Sequence, residues 1–169
     1  MKPTKPVNTK TLPKSILILN DIRSIINVGA MFRTADAVGV EQILLSGVSP
    51  APIDRFGRIR GDFAKASLGS EYSVPWEQVE NCVKTIKKLE KDGYTVVAVE
   101  QSKKSIHFKK YKPQKNQKLV IIPGNETEGV PKNIVNLADV ILEIPMRGVK
   151  ESLNVSVATG IILYHLLDN

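Results

Sequence analysis

The chain has 169 residues, 42% hydrophobic, 24% charged and 5% aromatic, with 24 Lys and Arg against 17 Asp and Glu for a net charge of +7. That length suits one domain with a core of its own, and the composition excludes both a disordered chain and a membrane protein, since the first strong apolar run spans only residues 16–19. A single cysteine, Cys82, excludes an internal disulfide and, with two histidines, any Cys/His zinc cluster, so no metal site is expected and the cytoplasm is the expected compartment.

Residues 1–14, with Pro3, Pro6 and Pro13, predict a flexible basic tail, and residues 15–169 a single domain. Residues 15–19 form a short apolar run suited to a buried strand. A helix follows over 27–38, with Val28, Met31, Phe32, Ala35 and Val38 on one face and Gly39 closing it. Residues 42–46 are the next strand. The stretch 47–70, punctuated by Pro50, Pro52, Gly57, Gly61 and Gly69, is loop-rich with short helices. The clearest helix is 77–92, where Val79, Val83, Ile86 and Leu89 recur at three- and four-residue spacing and Gly93 stops it. Strands are expected at 94–99, 118–123 and 140–145, and a short helix at 131–137 opening on Pro131. The final helix, 152–167, is apolar over most of its circumference and is expected to be buried or shared with another subunit. Strands alternating with helices define an α/β protein with a mostly parallel sheet.

The charge is concentrated in three segments. Residues 1–14 carry four lysines and no acid; residues 55–65 carry Arg55, Arg58, Arg60 and Lys65 against Asp62; residues 102–118 carry seven lysines, among them Lys103, Lys104, Lys109 and Lys110, and no acid. The remainder is mildly acidic. That distribution is the pattern of a phosphate-backbone binder, the alternative being lysines kept for solubility. The scarcity of aromatics weighs against a surface that stacks unpaired bases.

Ligands of open α/β sheets bind beyond the carboxyl ends of the strands, so the polar residues just after each strand carry the functional information. Three places stand out: 27–39, containing Asn27, Arg33, Thr34 and Asp36; 122–129, reading Ile-Pro-Gly-Asn-Glu-Thr-Glu-Gly; and 144–158, with Ile-Pro-Met-Arg-Gly and then Ser-Leu-Asn-Val-Ser-Val-Ala from Ser152. Gly124 and Gly129 permit tight turns and close backbone approach to a ligand. Asn27 suits either a helix cap or a side chain facing the crevice. Arg33 lies within an apolar helix, which implies a partner phosphate or carboxylate; a structural ion pair with Glu126 is the plain alternative. His107 is expected to be a polar loop residue, His165 a satisfied helix histidine, and Cys82 and Trp76 packing residues.

The three motifs, in this order and spacing over residues 15–167, resemble the SpoU/TrmH family of SPOUT-superfamily RNA methyltransferases. The segment from Lys65 to Gly69 also resembles that family's loop after the second strand. The resemblance implies an α/β knot, in which the C-terminal segment makes a trefoil and S-adenosylmethionine sits bent within it. By matching positions, Gly124, Asn125, Ile144, Met146 and Leu153 would wall the cofactor pocket, and Asn27, Arg33, Glu126, Ser152 and Asn154 would form the catalytic centre. In the ribose-modifying branch an RNA 2′-hydroxyl attacks the sulfonium methyl group. Arg33 would activate that hydroxyl or, since a guanidinium is hard to deprotonate, stabilise the alkoxide or clamp a phosphate. Asn27, Ser152 and Asn154 would position ribose and phosphate, and Glu126 would orient Arg33 or the partner subunit. The resemblance also implies a homodimer that completes the pocket, with RNA held by Arg55, Arg58, Arg60, Lys65 and the lysines after residue 102. tRNA is expected ahead of rRNA, because no extra N-terminal RNA-binding domain precedes residue 15; a partner protein is the other source of target choice. A base-methylating SPOUT enzyme and a non-catalytic RNA-binding protein of the same fold are the alternatives. Thr127 stands where many relatives have Gly, and would be strained if the loop needs a positive φ there.

Overall fold

The structure, a computed structural model, describes residues 14–168, so the basic tail lies outside the described residues apart from Lys14. Seven strands, β1 (Ser15–Asn20), β2 (Gln42–Ser46), β3 (Trp76–Val79), β4 (Tyr94–Val99), β5 (Ile106–His107), β6 (Lys118–Pro123) and β7 (Val140–Glu143), form one sheet in the order β3-β2-β1-β6-β4-β7-β5. Every neighbouring pair is parallel. Helices α1 (Ile25–Val38), α2 (Gly61–Ser67), α3 (Ser70–Ser73), α4 (Cys82–Lys91), α5 (Lys132–Val135) and α6 (Val155–Leu167) cover it on both sides.

Both faces are buried, which is why the middle positions of the central strands are apolar on both sides. Leu17, Leu19, Val97, Leu119 and Ile121 pack under α1, α2 and α6; Ile16, Ile18, Val96, Val120 and Ile122 pack under α4 and α5. Phe32 of α1 meets Phe63 of α2 edge-to-face, with centroids 5.1 Å apart. Gly29 permits that approach: a Cβ there would lie 2.8 Å from the Cβ of Ala66. The chain runs from β1 outward to β2 and β3, and later returns at β6 on the other side of β1. The resulting switch in strand order opens a crevice at the carboxyl ends of β1, β4, β6 and β7.

Several boundaries differ from the expected ones. The first helix begins at Ile25 and is capped by Ser24, whose Oγ accepts the N–H of Asn27 at 3.2 Å; Asn27 is therefore not the cap. The helix expected over 77–92 begins at Cys82, because Asn81 caps it through the N–H of Lys84, and Trp76–Val79 instead pairs with β2 as an edge strand. Val79 satisfied the helical spacing while packing from a strand. The loop expected around residue 106 contains β5 and a 3₁₀ turn, Phe108–Lys110. β7 stops at Glu143, before Pro145, which has no N–H for a ladder. The last helix begins at Val155, since Asn154 caps it, so Ser152 and Leu153 belong to the loop. That helix is buried on one face only; Val157 and Tyr164, each about half exposed, point outward. No helix among the described residues is long and apolar enough to cross a membrane.

Candidate active site

The loops after β4, β6 and β7 and the start of α6 enclose a cleft of about 670 Å3. Its walls mix apolar side chains (Val99, Leu142, Ile144, Met146, Leu153) with polar ones (Glu100, Asn125, Glu126, Ser152, Asn154). All five residues expected to wall a cofactor pocket are here, and so are three of the five expected catalytic residues. The volume and the apolar walls suit a nucleoside-sized ligand.

A hydrogen-bonded chain crosses the rim. Asn154 Nδ2 donates to Asn27 Oδ1 at 3.2 Å, and Asn27 Nδ2 donates to Glu126 Oε1 at 2.9 Å. Glu126 also accepts the backbone N–H groups of Ser24 (3.3 Å) and Arg23 (3.2 Å), so it fastens the loop after β6 to the N-terminus of α1. Burial works to raise the pKa of Glu126, but the amide of Asn27 and the N–H donors outweigh it and hold the group below its ordinary value. Glu126 is thus an ionised acceptor at neutral pH and a poor proton donor. Asn154 Oδ1 accepts the N–H of Ser156 at 2.9 Å and its hydroxyl at 2.6 Å. After these bonds, Asn27 and Asn154 each retain one amide N–H with which to meet an oxygen of a ligand.

Arg33 is placed otherwise than expected. It is exposed, lies about 9 Å further along α1 than Asn27, and makes no ion pair with Glu126. The apolar helix turns this side chain outward, which is why no partner within the chain is needed. Asn125 lines the cleft, and its Oδ1 also accepts the N–H groups of Thr127 (3.0 Å) and Glu128 (2.7 Å), and so builds the loop from within. Thr127 has no positive φ, and its hydroxyl adds a third bond to Asn125 Oδ1 at 3.3 Å, so its substitution for glycine carries no backbone strain.

The basic side chains lie on the surface. Arg55 and Arg60 line a shallow depression after β2, while Arg55 and Arg58 stand over the exposed ring of Phe56 at 4.7 and 5.1 Å. Arg58 is paired with Asp54 at 2.8 Å, which spends much of its charge internally. Lys65, Lys103, Lys104, Lys109 and Lys110 are exposed. A second cleft, lined by Asp21, Arg23, Val48, Asn125 and Glu128, adjoins the first across Asn125. The sequence motifs did not single out Arg23, Glu100 or Gln101; the last two directly follow β4, a position the strand-end rule could have flagged.

A parallel sheet whose strand order switches above a cleft is the architecture of α/β proteins that take their ligands in strand-end loops. A family model matches residues 14–164, and the chain belongs to the SpoU rRNA Methylase family. It is 35% identical to the tRNA (guanosine(18)-2′-O)-methyltransferase of Aquifex aeolicus, over 97% of this chain and 74% of that protein. It is 31% identical to a 23S rRNA (guanosine-2′-O-)-methyltransferase of Neisseria meningitidis, over 89% of this chain but 57% of that one. Among solved structures, the AdoMet-bound rRNA methyltransferase of Sinorhizobium meliloti superimposes with a TM-score of 0.81 at 28% identity, covering 92% of this chain and 56% of the other. The A. aeolicus TrmH/SpoU tRNA modifying enzyme does so with a TM-score of 0.76 at 35% identity, over 90% and 73%. The chain thus spans little more than half of the rRNA-directed relatives and about three quarters of the tRNA-directed one.

Proposed function

We propose that this protein is an S-adenosylmethionine-dependent RNA 2′-O-methyltransferase that works as a homodimer in the cytoplasm, with tRNA as substrate ahead of rRNA. The observation that carries it is the Asn154–Asn27–Glu126 chain at the rim of the 670 Å3 cleft, in a member of this family. The tRNA preference rests on the 35% identity to the A. aeolicus tRNA-modifying enzyme over 97% of this chain. The trefoil knot belongs to the same proposal, supported by the convergence of the loops after β6 and β7 on one cleft.

Bound in the cleft, S-adenosylmethionine supplies an electrophilic methyl group and leaves as a neutral thioether. The protein must then align the 2′-oxygen with that methyl group and accommodate the hydroxyl proton. The free amide N–H groups of Asn27 and Asn154 are suited to ribose or phosphate oxygens, and Ser152 adds a hydroxyl at the same edge. Glu126, held ionised, fixes Asn27. Arg33, outside its own chain's cleft, serves the cleft of the second subunit, where its guanidinium stabilises the developing alkoxide or clamps the adjacent phosphate. The outward Val157 and Tyr164 of α6, the helix packed beside α1, supply apolar surface for that association.

The test is transfer of labelled methyl from S-adenosylmethionine to tRNA and rRNA, followed by alkaline hydrolysis. A 2′-O-methylated nucleotide protects its 3′ phosphodiester, so an alkali-stable dinucleotide is expected. Label on a base would establish the base-modifying alternative, and no transfer with intact RNA binding the non-catalytic one.

A further inference from the structure

We propose that Glu100 and Gln101, the two residues following β4, are positioning residues that clip both walls of the cofactor cleft in place before the cofactor arrives. This rests on the reading of that cleft as the S-adenosylmethionine site.

Glu100 is fixed beside β7 by its own N–H, which donates to the carbonyl of Leu142 at 3.0 Å. Its carboxylate reaches under the loop after β6: Oε2 accepts the N–H of Val130 at 2.6 Å, while Oε1 accepts the N–H of Gln101 at 2.8 Å. The niche that admits it is made of glycine. A methyl group on Gly124 would lie 2.9 Å from Oε2 and 3.0 Å from the Cα of Gly129, and one on Gly129 would coincide with the carboxylate itself. Gly129 also holds φ +70°, and its carbonyl accepts the N–H of Asn125 at 3.1 Å to close the loop. The two glycines of the Gly-Asn-Glu-x-x-Gly motif therefore make room for a protein carboxylate, not only for a ligand.

Gln101 holds the opposite wall. Its Nε2 donates to the carbonyl of Glu151 at 2.8 Å, just before Ser152, Leu153 and Asn154 enter the cleft. Among the described residues this is the one hydrogen bond that ties residues 146–153 to the rest of the protein, and residues 147–150 beside it are exposed to solvent. Two consecutive residues on the rigid end of a central strand thus hold the 124–130 loop and the 144–154 loop at a fixed separation. A cleft whose walls are ordered in advance spares the ligand the entropy of ordering them.

Amide hydrogen exchange of the cofactor-free protein and calorimetry with S-adenosylmethionine separate the two layers of this proposal. Glu100→Ala removes the acceptor of both N–H groups; exchange at Val130 is expected to accelerate at least about tenfold, with the β6 amides of Leu119–Ile122 unchanged. The Kd for S-adenosylmethionine is expected to rise about tenfold, as for loss of one bond to a charged acceptor. Gln101→Ala, at an exposed side chain whose loss the fold tolerates, is expected to loosen residues 146–153 and raise Kd about threefold while Tm moves by less than about 2 °C. Gly129→Ala is expected to weaken binding far less in a Glu100→Ala background than in the wild type, because the atoms nearest its added methyl are all in Glu100. Unchanged exchange at Val130 in Glu100→Ala overturns the clip. Faster exchange with an unchanged Kd in both variants overturns the positioning role and leaves a structural one. If the wild type itself binds no S-adenosylmethionine, the cofactor reading fails first, and the exchange data still decide whether the clip exists.

Discussion

Exchanging Asn27 for aspartate changes one atom of the rim network and reverses its electrostatics. In the wild type, Asn27 Nδ2 donates to Glu126 Oε1 at 2.9 Å. N27D removes that donor and sets a second carboxylate against the first. Loss of a hydrogen bond to a charged acceptor costs about 1 kcal/mol here, the low end of the range because Glu126 is exposed. Repulsion between two carboxylates about 4 Å apart adds about 1 kcal/mol in a largely aqueous setting. A total of about 2 kcal/mol corresponds to a Tm lower by about 4–8 °C at pH 7. The pH dependence carries the sharper test. In the wild type, Glu126 titrates below its ordinary value, so its contribution is complete at neutral pH and is lost as pH falls through the folded-state pKa. In N27D the pair shares its proton and one pKa is raised, so the deficit is complete at neutral pH and shrinks as pH falls through that raised value. Thermal unfolding followed by circular dichroism between pH 4 and 7, on wild type, N27D and N27A, reads both slopes. If N27D is no less stable than N27A at pH 7, or if its deficit fails to narrow on acidification, the carboxylate contact between residues 27 and 126 is not as the structure shows it.

Arg33→Lys is expected to leave the Kd for S-adenosylmethionine within about twofold while methyl transfer falls at least about a hundredfold, because the charge stays and the bidentate fork is lost; calorimetry and a transfer assay check the split, and near-normal turnover removes Arg33 from the reaction. Replacing Lys103, Lys104, Lys109 and Lys110 by glutamine is expected to weaken RNA binding and lower the slope of log K against log salt by about 0.7–0.9 for each phosphate no longer neutralised, with cofactor affinity unchanged. Light scattering is expected to give twice the chain mass, and Tyr164→Asp, on the outward face of α6, to shift it toward the single-chain value. Phe32→Ala is expected to cost about 3–5 kcal/mol in denaturant unfolding, since the ring is fully buried against Phe63.

The inner strands were legible because each is buried on both faces and has a run of consecutive apolar residues at its middle; 42–46, 94–99 and 118–123 agree with the structure to the residue. Edges were less so. β3 pairs along one side only, and its Trp-Glu-Gln-Val fits either a strand or the start of the helix that Val83, Ile86 and Leu89 mark out. β5 has two residues and no periodicity at all. At the site, the motifs brought Gly124, Asn125, Glu126, Ser152, Leu153 and Asn154 to one cleft as expected. Arg33 shows the limit: a cation within an apolar pattern implies a partner, but whether that helix face meets its own chain or solvent is a property of tertiary packing.

The strand-end motif also divides its labour in a way its letters do not show. Gly124 and Gly129 admit the carboxylate of Glu100; Asn125 and Thr127 fold the intervening turn onto itself; only Glu126 leaves the loop, to bind Asn27 and the N-terminus of α1. Loop construction and site chemistry are therefore separable within six residues. A substitution at Asn125 is expected to disorder the turn and lower the affinity of the cofactor cleft, whereas one at Glu126 leaves the turn intact and releases Asn27, Ser24 and Arg23 on the substrate side. Calorimetry with S-adenosylmethionine on Asn125→Ala and Glu126→Ala reads the distinction: the first is expected to raise Kd by about tenfold and the second by less than about twofold. Equal losses from both would mean that the loop acts as one unit and that the rim network is part of the cofactor's own site.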